Sequence, residues 1–465
     1  MPVFAVVGQP NKGKSSIVAT LAEDERVRIG AIPGTTRNAR EFTFTIDGQA
    51  LYTLVDTPGF QRARAVLDWL KAHEKDASSR AEVVQRFVDA HRADPKFHDE
   101  CELLAPILAG AGILYVVDGA KPYGGEYEIE MQILRWTGQP RMALINRIGD
   151  GDYSEDWRRA LDQYFSIVRP FDAVDADFPT RLRVLNAFAE LRDAWRDPIR
   201  DAVAALERER SHRLRQSAAE ISACLCECLT RREQKTLEDP DNLDEQGEAL
   251  REALLQAVRR REARARKRVQ GFYRHDRADL EEAELPLVSV DLFAQESWEL
   301  FGLSKEKLVV AGALGGMAAG GSLDLLLGGA SLLMGSVVGG IVGGATAWFG
   351  SDEVAKVEVL GETLGGKVLT VGPITAVNFP WVLLGRALVH HDLVAERNHA
   401  RREHISVASA ASTSLMDDVA EESRSAMAKL FGRLRKEGED GMIRADLTAE
   451  IETLMKRRQG ENDAG

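Results

Sequence analysis

The chain has 465 residues, enough for two or three domains with substantial cores. A formal net charge of −13, with a pI near 5.4, makes it a poor binder of polyanions, and only one local stretch is basic. Four cysteines and no CxxC pair exclude a disulfide framework and a paired-cysteine metal site, so Cys224, Cys226 and Cys228 read as reduced residues on a buried helix face.

Residues 1–180 alternate strands and helices. Val3–Val7 is a short apolar strand and Ser15–Leu21 starts a helix. Opening directly on this strand, the sequence is expected to carry no signal or transit peptide, which places the N-terminal domain in the cytoplasm. Glu41–Ile46 and Ala50–Val55 alternate as strands, joined at Asp47-Gly48, a pair suited to a hairpin turn. Ile113–Val117, Met142–Ile145 and Ser166–Val168 are later buried strands. An Arg/Ala/Glu-rich stretch at about 62–100 reads as a helical insertion. The fold class is α/β, doubly wound around a mostly parallel sheet with one antiparallel hairpin, followed by a mainly α-helical region.

Gly8-Gln9-Pro10-Asn11-Lys12-Gly13-Lys14-Ser15 fits G-x-x-x-x-G-K-[ST] between a strand and a helix. Backbone N–H groups of Gly8, Asn11, Lys12, Gly13, Lys14, Ser15 and Ser16 can cradle phosphates at the positive end of the new helix. Lys14 supplies a charge for the β- and γ-phosphates, and the Ser15 hydroxyl can ligate Mg²⁺. The alternative is a glycine-rich turn with no ligand. Asp56-Thr57-Pro58-Gly59 ends the third strand, where Asp56 can hold Mg²⁺ through water and the Gly59 N–H can meet the γ-phosphate.

With Pro33-Gly34-Thr35-Thr36-Arg37 between these motifs, residues 1 to about 175 resemble the Era/MnmE/Der (TrmE–Era–EngA-like) GTPases of the translation-factor class. The resemblance implies GTP and GDP as ligands, and Thr36 as a Mg²⁺ ligand when the γ-phosphate is present. It implies that Asn11 helps to hold K⁺ beside the phosphates, in place of an arginine finger. Phe60 stands where Ras-like proteins carry a water-orienting glutamine, so slow hydrolysis is expected, with Gln61 a weak substitute.

The guanine-reading motif departs from the family's N-K-x-D. Asn146-Arg147-Ile148-Gly149 keeps the asparagine for the base and an arginine stem to pack over it. Gly149 replaces the carboxylate, with Asp150 and Asp152 as displaced candidates, so weaker base selectivity is expected. Phe171-Asp172-Ala173 replaces the family's Ser-Ala, and the Ala173 N–H is expected at the base oxygen.

Residues 181–285 read as charged helical arms. Ile199, Val203, Leu206, Leu214, Ala218, Ile221 and Leu225 form one buried stripe; Asp239–Asn242 breaks the helix; and a second runs from Glu245 to Gly271. That second helix carries Arg259, Arg260, Arg261, Arg264, Arg266, Lys267 and Arg268, read either as a solvated face or as a contact for anionic lipid. Residues 286–465 form a C-terminal domain. Within it, 308–350 holds one charge, Asp324, and two glycine series, Gly312, Gly316, Gly320 and Gly335, Gly339, Gly343. Each series lets helices approach closely, and the longer run would extend about 39 Å as a helix. A glycine-zipper helical hairpin at the membrane is expected, against the alternative of a buried hairpin. Lys356–Leu360 and Lys367–Val371 read as a β-hairpin.

The layout is similar to a bacterial GTPase group whose C-terminal domain has no assigned function, and architecturally to dynamin-like and immunity-related GTPases. The function expected is a slow GTPase acting as a membrane-associated switch or remodeller, peripheral to or inserted in the inner membrane from the cytoplasmic side. Its expected partners are membrane lipid or a membrane protein, with possible self-association. The alternatives are an Era/Der-type factor in ribosome or RNA maturation, disfavoured by the acidic balance, and a regulatory module that holds nucleotide.

Overall fold

The computed structural model describes residues 1–22, 38–46, 48–149, 151–173, 176–236, 243–273, 291–303, 357–362, 366–396, 416 and 419–459. Thr36, Asp150 and the apolar segment 308–350 lie outside them. The chain divides into two compact units, one mainly Met1–Arg210 and the other mainly Ser211–Ala395 with the C-terminal helices.

The first unit contains β1 (Val3–Val7), α1 (Lys14–Ala22), β2 (Arg40–Ile46), β3 (Gln49–Asp56), α2 (Ala63–His73), α3 (Arg80–His91) and α4 (His98–Leu108). It continues through β4 (Gly112–Asp118), α5 (Glu126–Trp136), β5 (Arg141–Asn146), α6 (Ser154–Leu161), β6 (Ile167–Pro170), α7 (Phe178–Leu191) and the first half of α8 (Asp193–Thr230). The six strands lie in the order β2-β3-β1-β4-β5-β6, parallel except for β2 against β3. The insertion consists of three helices, α2 to α4, and the last ends at Leu108 rather than near 100.

Strand alternation builds a core on each face of the sheet. Ala5, Val7, Ile113, Tyr115 and Val117 pack with α2 to α6. Phe4, Val6, Leu114 and Val116 pack with α1, α7 and the start of α8. Phe4 stacks on Phe188 with ring centroids 3.8 Å apart and meets Trp195 edge-on, so the sheet domain recruits helix beyond residue 180. β1 has β3 on one side and β4 on the other, so strand order reverses where β1 ends at Val7. Ligands of open α/β sheets sit in the crevice at such a point.

The second unit takes the rest of α8, β7 (Glu233–Thr236), α9 (Leu243–Phe272), helix Gln295–Phe301, β8 (Val357–Glu362), β9 (Gly366–Val371) and helices Phe379–Glu396, Glu421–Glu437 and Gly441–Arg458. The expected hairpin is β8–β9, but β7 joins it as a third antiparallel strand, pairing Glu233 with Val371. Its sequence, Glu-Gln-Lys-Thr, has no apolar alternation, so only backbone pairing reveals it. The three α8 cysteines are all buried and free, since α8 is enclosed almost all round near its end.

The basic stretch of α9 is a solvated face only in part: Arg260, Arg264 and Lys267 are exposed, and the others are held by acids. Arg261 is buried and bonds Glu220 at 2.8 Å and Glu227 at 2.6 Å. Arg268 also bonds Glu220, Arg259 bonds Asp291, and Arg266 bonds Glu262. Glu262 in turn holds Arg386, itself buried. Four of the seven cations are therefore tied to acids of their own unit, which accounts for so much arginine beside a packed core. Among the described residues, no helix is long and apolar enough to cross a membrane.

Candidate functional site

At the end of β1 the chain enters the loop Gly8–Ser15, with Asn11 and Gly13 both at positive φ (60° and 84°). α1 begins at once, its first turn closed by Ile17 N donating to Gly13 O at 2.9 Å, which leaves the preceding N–H groups facing the crevice. A Cβ on Gly13 would fall 2.1 Å from Asn146 Nδ2, so the close approach of β5 demands glycine here.

Lys14 Nζ donates to the loop's own carbonyls, Gly8 O at 3.1 Å and Gln9 O at 2.9 Å. Burial lowers its pKa to about 8, against the raising charges of Asp56 and Glu130. Ser15 Oγ donates to Asp56 Oδ2 at 2.9 Å. Asp56 is buried at the end of β3, in register with Val6. A hydroxyl and a carboxylate side by side are the hard oxygen donors that Mg²⁺ takes, so the donor set fits. Thr57 Oγ1 donates to Val6 O at 2.7 Å and fixes the start of the Thr57-Pro58-Gly59 turn. Phe60 is buried in the core beneath it, and Gln61 is exposed.

The base-side residues join three loops. Asn146 Nδ2 donates to Lys12 O at 3.2 Å, and its Oδ1 accepts from Ala173 N at 3.0 Å. The Ala173 N–H expected at the base oxygen is thus engaged by Asn146. Thr20 Oγ1 bonds Ala173 O at 2.7 Å and ties the same turn to α1. Lys12 is buried 3.9 Å from Asp118, with its pKa lowered by burial against that charge. Ser16 is half-buried in the first turn of α1, and Arg147 is exposed. Gly149 has φ +144°, a conformation that an aspartate there would strain. Asp152 is exposed and accepts from Ser154 N at 3.1 Å at the start of α6.

Three carboxylates were missed from sequence. Glu130 of α5 is buried beneath the loop, accepting from Tyr115 Oη at 2.9 Å and from the Gln9 side chain. Burial pushes its pKa up to about 7, with those hydrogen bonds and the charge of Lys14 opposing. Glu100 and Glu102 of α4 hold backbone beside the site. A signal existed: Tyr127, Glu130, Met131 and Leu134 fall on one helical stripe, as do Glu100, Leu103, Leu104 and Ile107. A carboxylate on an apolar stripe marks a buried acid with a partner.

A strand, phosphate loop and helix at the reversal point of a doubly wound sheet, with Ser15 against Asp56, define a P-loop GTPase domain. Residues 3–146 match the family described as 50S ribosome-binding GTPase. Residues 158–458 match the family described as Domain of unknown function (DUF3482), and the chain belongs to that family. Among curated proteins, GTPase Der of Nitrosococcus oceani is 38% identical over 120 residues, 25% of each chain. The tRNA modification GTPase MnmE of a Synechococcus species is 32% identical over 156 residues, 32% of this chain and 34% of that one. The chain thus spans about a quarter to a third of the length of these relatives. A crystal structure of Aquifex aeolicus Era bound to GDP and AlF₄⁻ aligns with 58% of this chain and 89% of its own, at 17% identity and a TM-score of 0.29.

Proposed function

We propose that the protein binds GTP with Mg²⁺ at Gly8–Ser15 and hydrolyses it slowly, as a molecular switch. The observation that carries this reading is the Ser15–Asp56 pair, two metal-type donors 2.9 Å apart beside the phosphate loop. Ser15 and Asp56 would hold the Mg²⁺, with Thr36 joining them when triphosphate is present, and the ion neutralises charge on the β- and γ-oxygens. Lys14 exchanges two carbonyls for phosphate oxygens, and Gly59 offers its N–H to the γ-phosphate. Asn11, at the loop's crest, is the residue proposed to favour K⁺. With Phe60 turned into the core, no side chain at that position orients the attacking water, and turnover is slow. Asn146 reads the base without the usual carboxylate, so GTP is preferred over ATP less sharply than in a site with both groups. Titrating GTP and ATP into the protein, with Mg²⁺ and then with EDTA, tests this: tight Mg²⁺-dependent GTP binding supports it, and no binding of either nucleotide removes it.

Two readings of what the switch acts on follow from different observations. The single charge in 308–350 favours a membrane or membrane protein as partner, with the protein at the cytoplasmic face of the inner membrane. The match of residues 3–146 to a family described as 50S ribosome-binding favours an Era/Der-type role. Co-sedimentation of the full chain with liposomes and, separately, with 50S subunits distinguishes them.

A further inference from the structure

The helical insert between β3 and β4 lies outside the phosphate loop Gly8–Ser15, yet its last helix reaches two pieces of backbone, at Asn38-Ala39 and Gln61-Arg62. Glu100 is wholly buried, and its Oε1 accepts from Gln61 N at 2.9 Å and Arg62 N at 2.5 Å. Those two residues follow Asp56-Thr57-Pro58-Gly59 after the single buried residue Phe60. Two residues further along α4, Glu102 Oε2 accepts from Ala39 N at 3.0 Å, where the chain leads into β2. His98 Nε2 donates to Asn38 Oδ1 at 3.1 Å, and Arg62 Nε donates to Lys96 O at 3.0 Å.

We propose that Glu100 and Glu102 are positioning residues for hydrolysis, a two-carboxylate clasp by which α4 fixes the backbone at Asn38-Ala39 relative to that at Gln61-Arg62. The proposal rests on the GTPase reading above, in which these segments flank the γ-phosphate. The physical basis is the state of Glu100. Among the described residues its Oε2 is buried without a hydrogen-bond partner, so the two N–H groups on Oε1 are the hydrogen-bond donors that this carboxylate has. Pulling the Gln61-Arg62 turn away would leave a carboxylate buried and unbonded, so the turn and α4 move as one piece. Through Glu102 and His98 the same helix grips the other segment. With Phe60 buried rather than aimed at the nucleotide, the placement of the backbone around Gly59 carries more of the catalytic burden, and the clasp sets it.

The test is single-turnover GTP hydrolysis by the full chain, with affinities for GDP and a non-hydrolysable GTP analogue. Glu100→Ala is expected to slow hydrolysis by about tenfold or more while GDP affinity stays within about twofold. Glu100→Gln, which keeps an acceptor oxygen, recovers most of the rate. Because the two acids act as one element, Glu100→Ala with Glu102→Ala is no slower than Glu100→Ala alone. Wild-type rates in Glu100→Ala, a matching loss of GDP binding, or additive losses in the double variant each overturn the clasp. If Glu100→Ala fails to fold, Glu102→Ala and His98→Ala carry the test, with a smaller but equally selective loss of hydrolysis expected and no loss overturning the proposal. A wild type that neither binds nor hydrolyses GTP removes the reading beneath the clasp; a hydrolysing wild type matched by all three variants removes the clasp alone.

Discussion

The Ser15 hydroxyl and the Asp56 carboxylate, 41 positions apart in sequence, meet in a 2.9 Å hydrogen bond at the mouth of the phosphate loop. β1 and β3 run parallel and in register there, so the end of one strand feeds the loop and the end of the other presents the acid. Ser15→Ala should therefore weaken Mg²⁺-triphosphate binding by about tenfold or more and leave binding in EDTA little changed. Calorimetric titration with and without metal checks this, and equal losses in both conditions would show that Ser15 serves the fold and not the metal.

Glu130 gives a pH prediction for the unliganded protein. Its carboxyl titrates at about 7 in the fold against an ordinary 4.5, so the folded state holds the proton more tightly than the unfolded chain. Its stabilising share is complete below pH 4.5 and is lost as pH rises to 7, because the buried group resists ionising. Glu130→Gln, which keeps an acceptor for Tyr115, should stabilise the protein by up to about 3 kcal/mol at pH 8.5 and by clearly less at pH 5.5. Urea unfolding at the two pH values measures the difference. A variant that is equally destabilised at both would show that the charge is not what burial opposes.

Arg261 stands between Glu220 and Glu227 in the second unit, with little exposure of its own. Arg261→Ala should cost about 3–5 kcal/mol, because Glu220 is left buried with one partner fewer. The exposed Arg264 on the same helix should tolerate alanine within about 0.5 kcal/mol. Thermal melting of the two variants decides it, and similar small shifts for both would return α9 to the status of a solvated face.

What was legible in the sequence follows from where the physics is local. Gly8–Ser15 and Asp56–Gly59 announce themselves because phosphate and metal binding need particular residues at fixed spacing, and the strands around them are short apolar runs. The helical spacing from Ile199 to Leu225 was also legible, but it is not one stripe. Ile199, Val203 and Leu206 pack in the core of the first unit and Leu214, Ala218, Ile221 and Leu225 in that of the second. Strand β7 was not legible, because its pairing with β9 uses backbone alone and joins residues more than a hundred positions apart. The α9 arginines were misread for a related reason. The acids of Arg259, Arg261 and Arg268 lie on α8 or after residue 290, and a charge run cannot show which members face inward. Glu100 and Glu130 were passed over because a single acid on an apolar stripe is easily taken for an interruption. In this chain each such acid holds backbone or loop beside the nucleotide site.

The central claim is that Gly8–Ser15 is the site at which GTP is bound and cleaved, and single-turnover hydrolysis by purified wild type and Lys14→Ala, in Mg²⁺ and K⁺, tests it most directly. Among the described residues the hydrogen bonds of Lys14 go to the loop's own carbonyls and none to the core, so Lys14→Ala is expected to fold. The wild type is expected to release phosphate from GTP slowly and to lose that activity in EDTA, and Lys14→Ala is expected to lose both triphosphate binding and hydrolysis. Unchanged GTP binding and phosphate release in a folded Lys14→Ala protein would contradict the account.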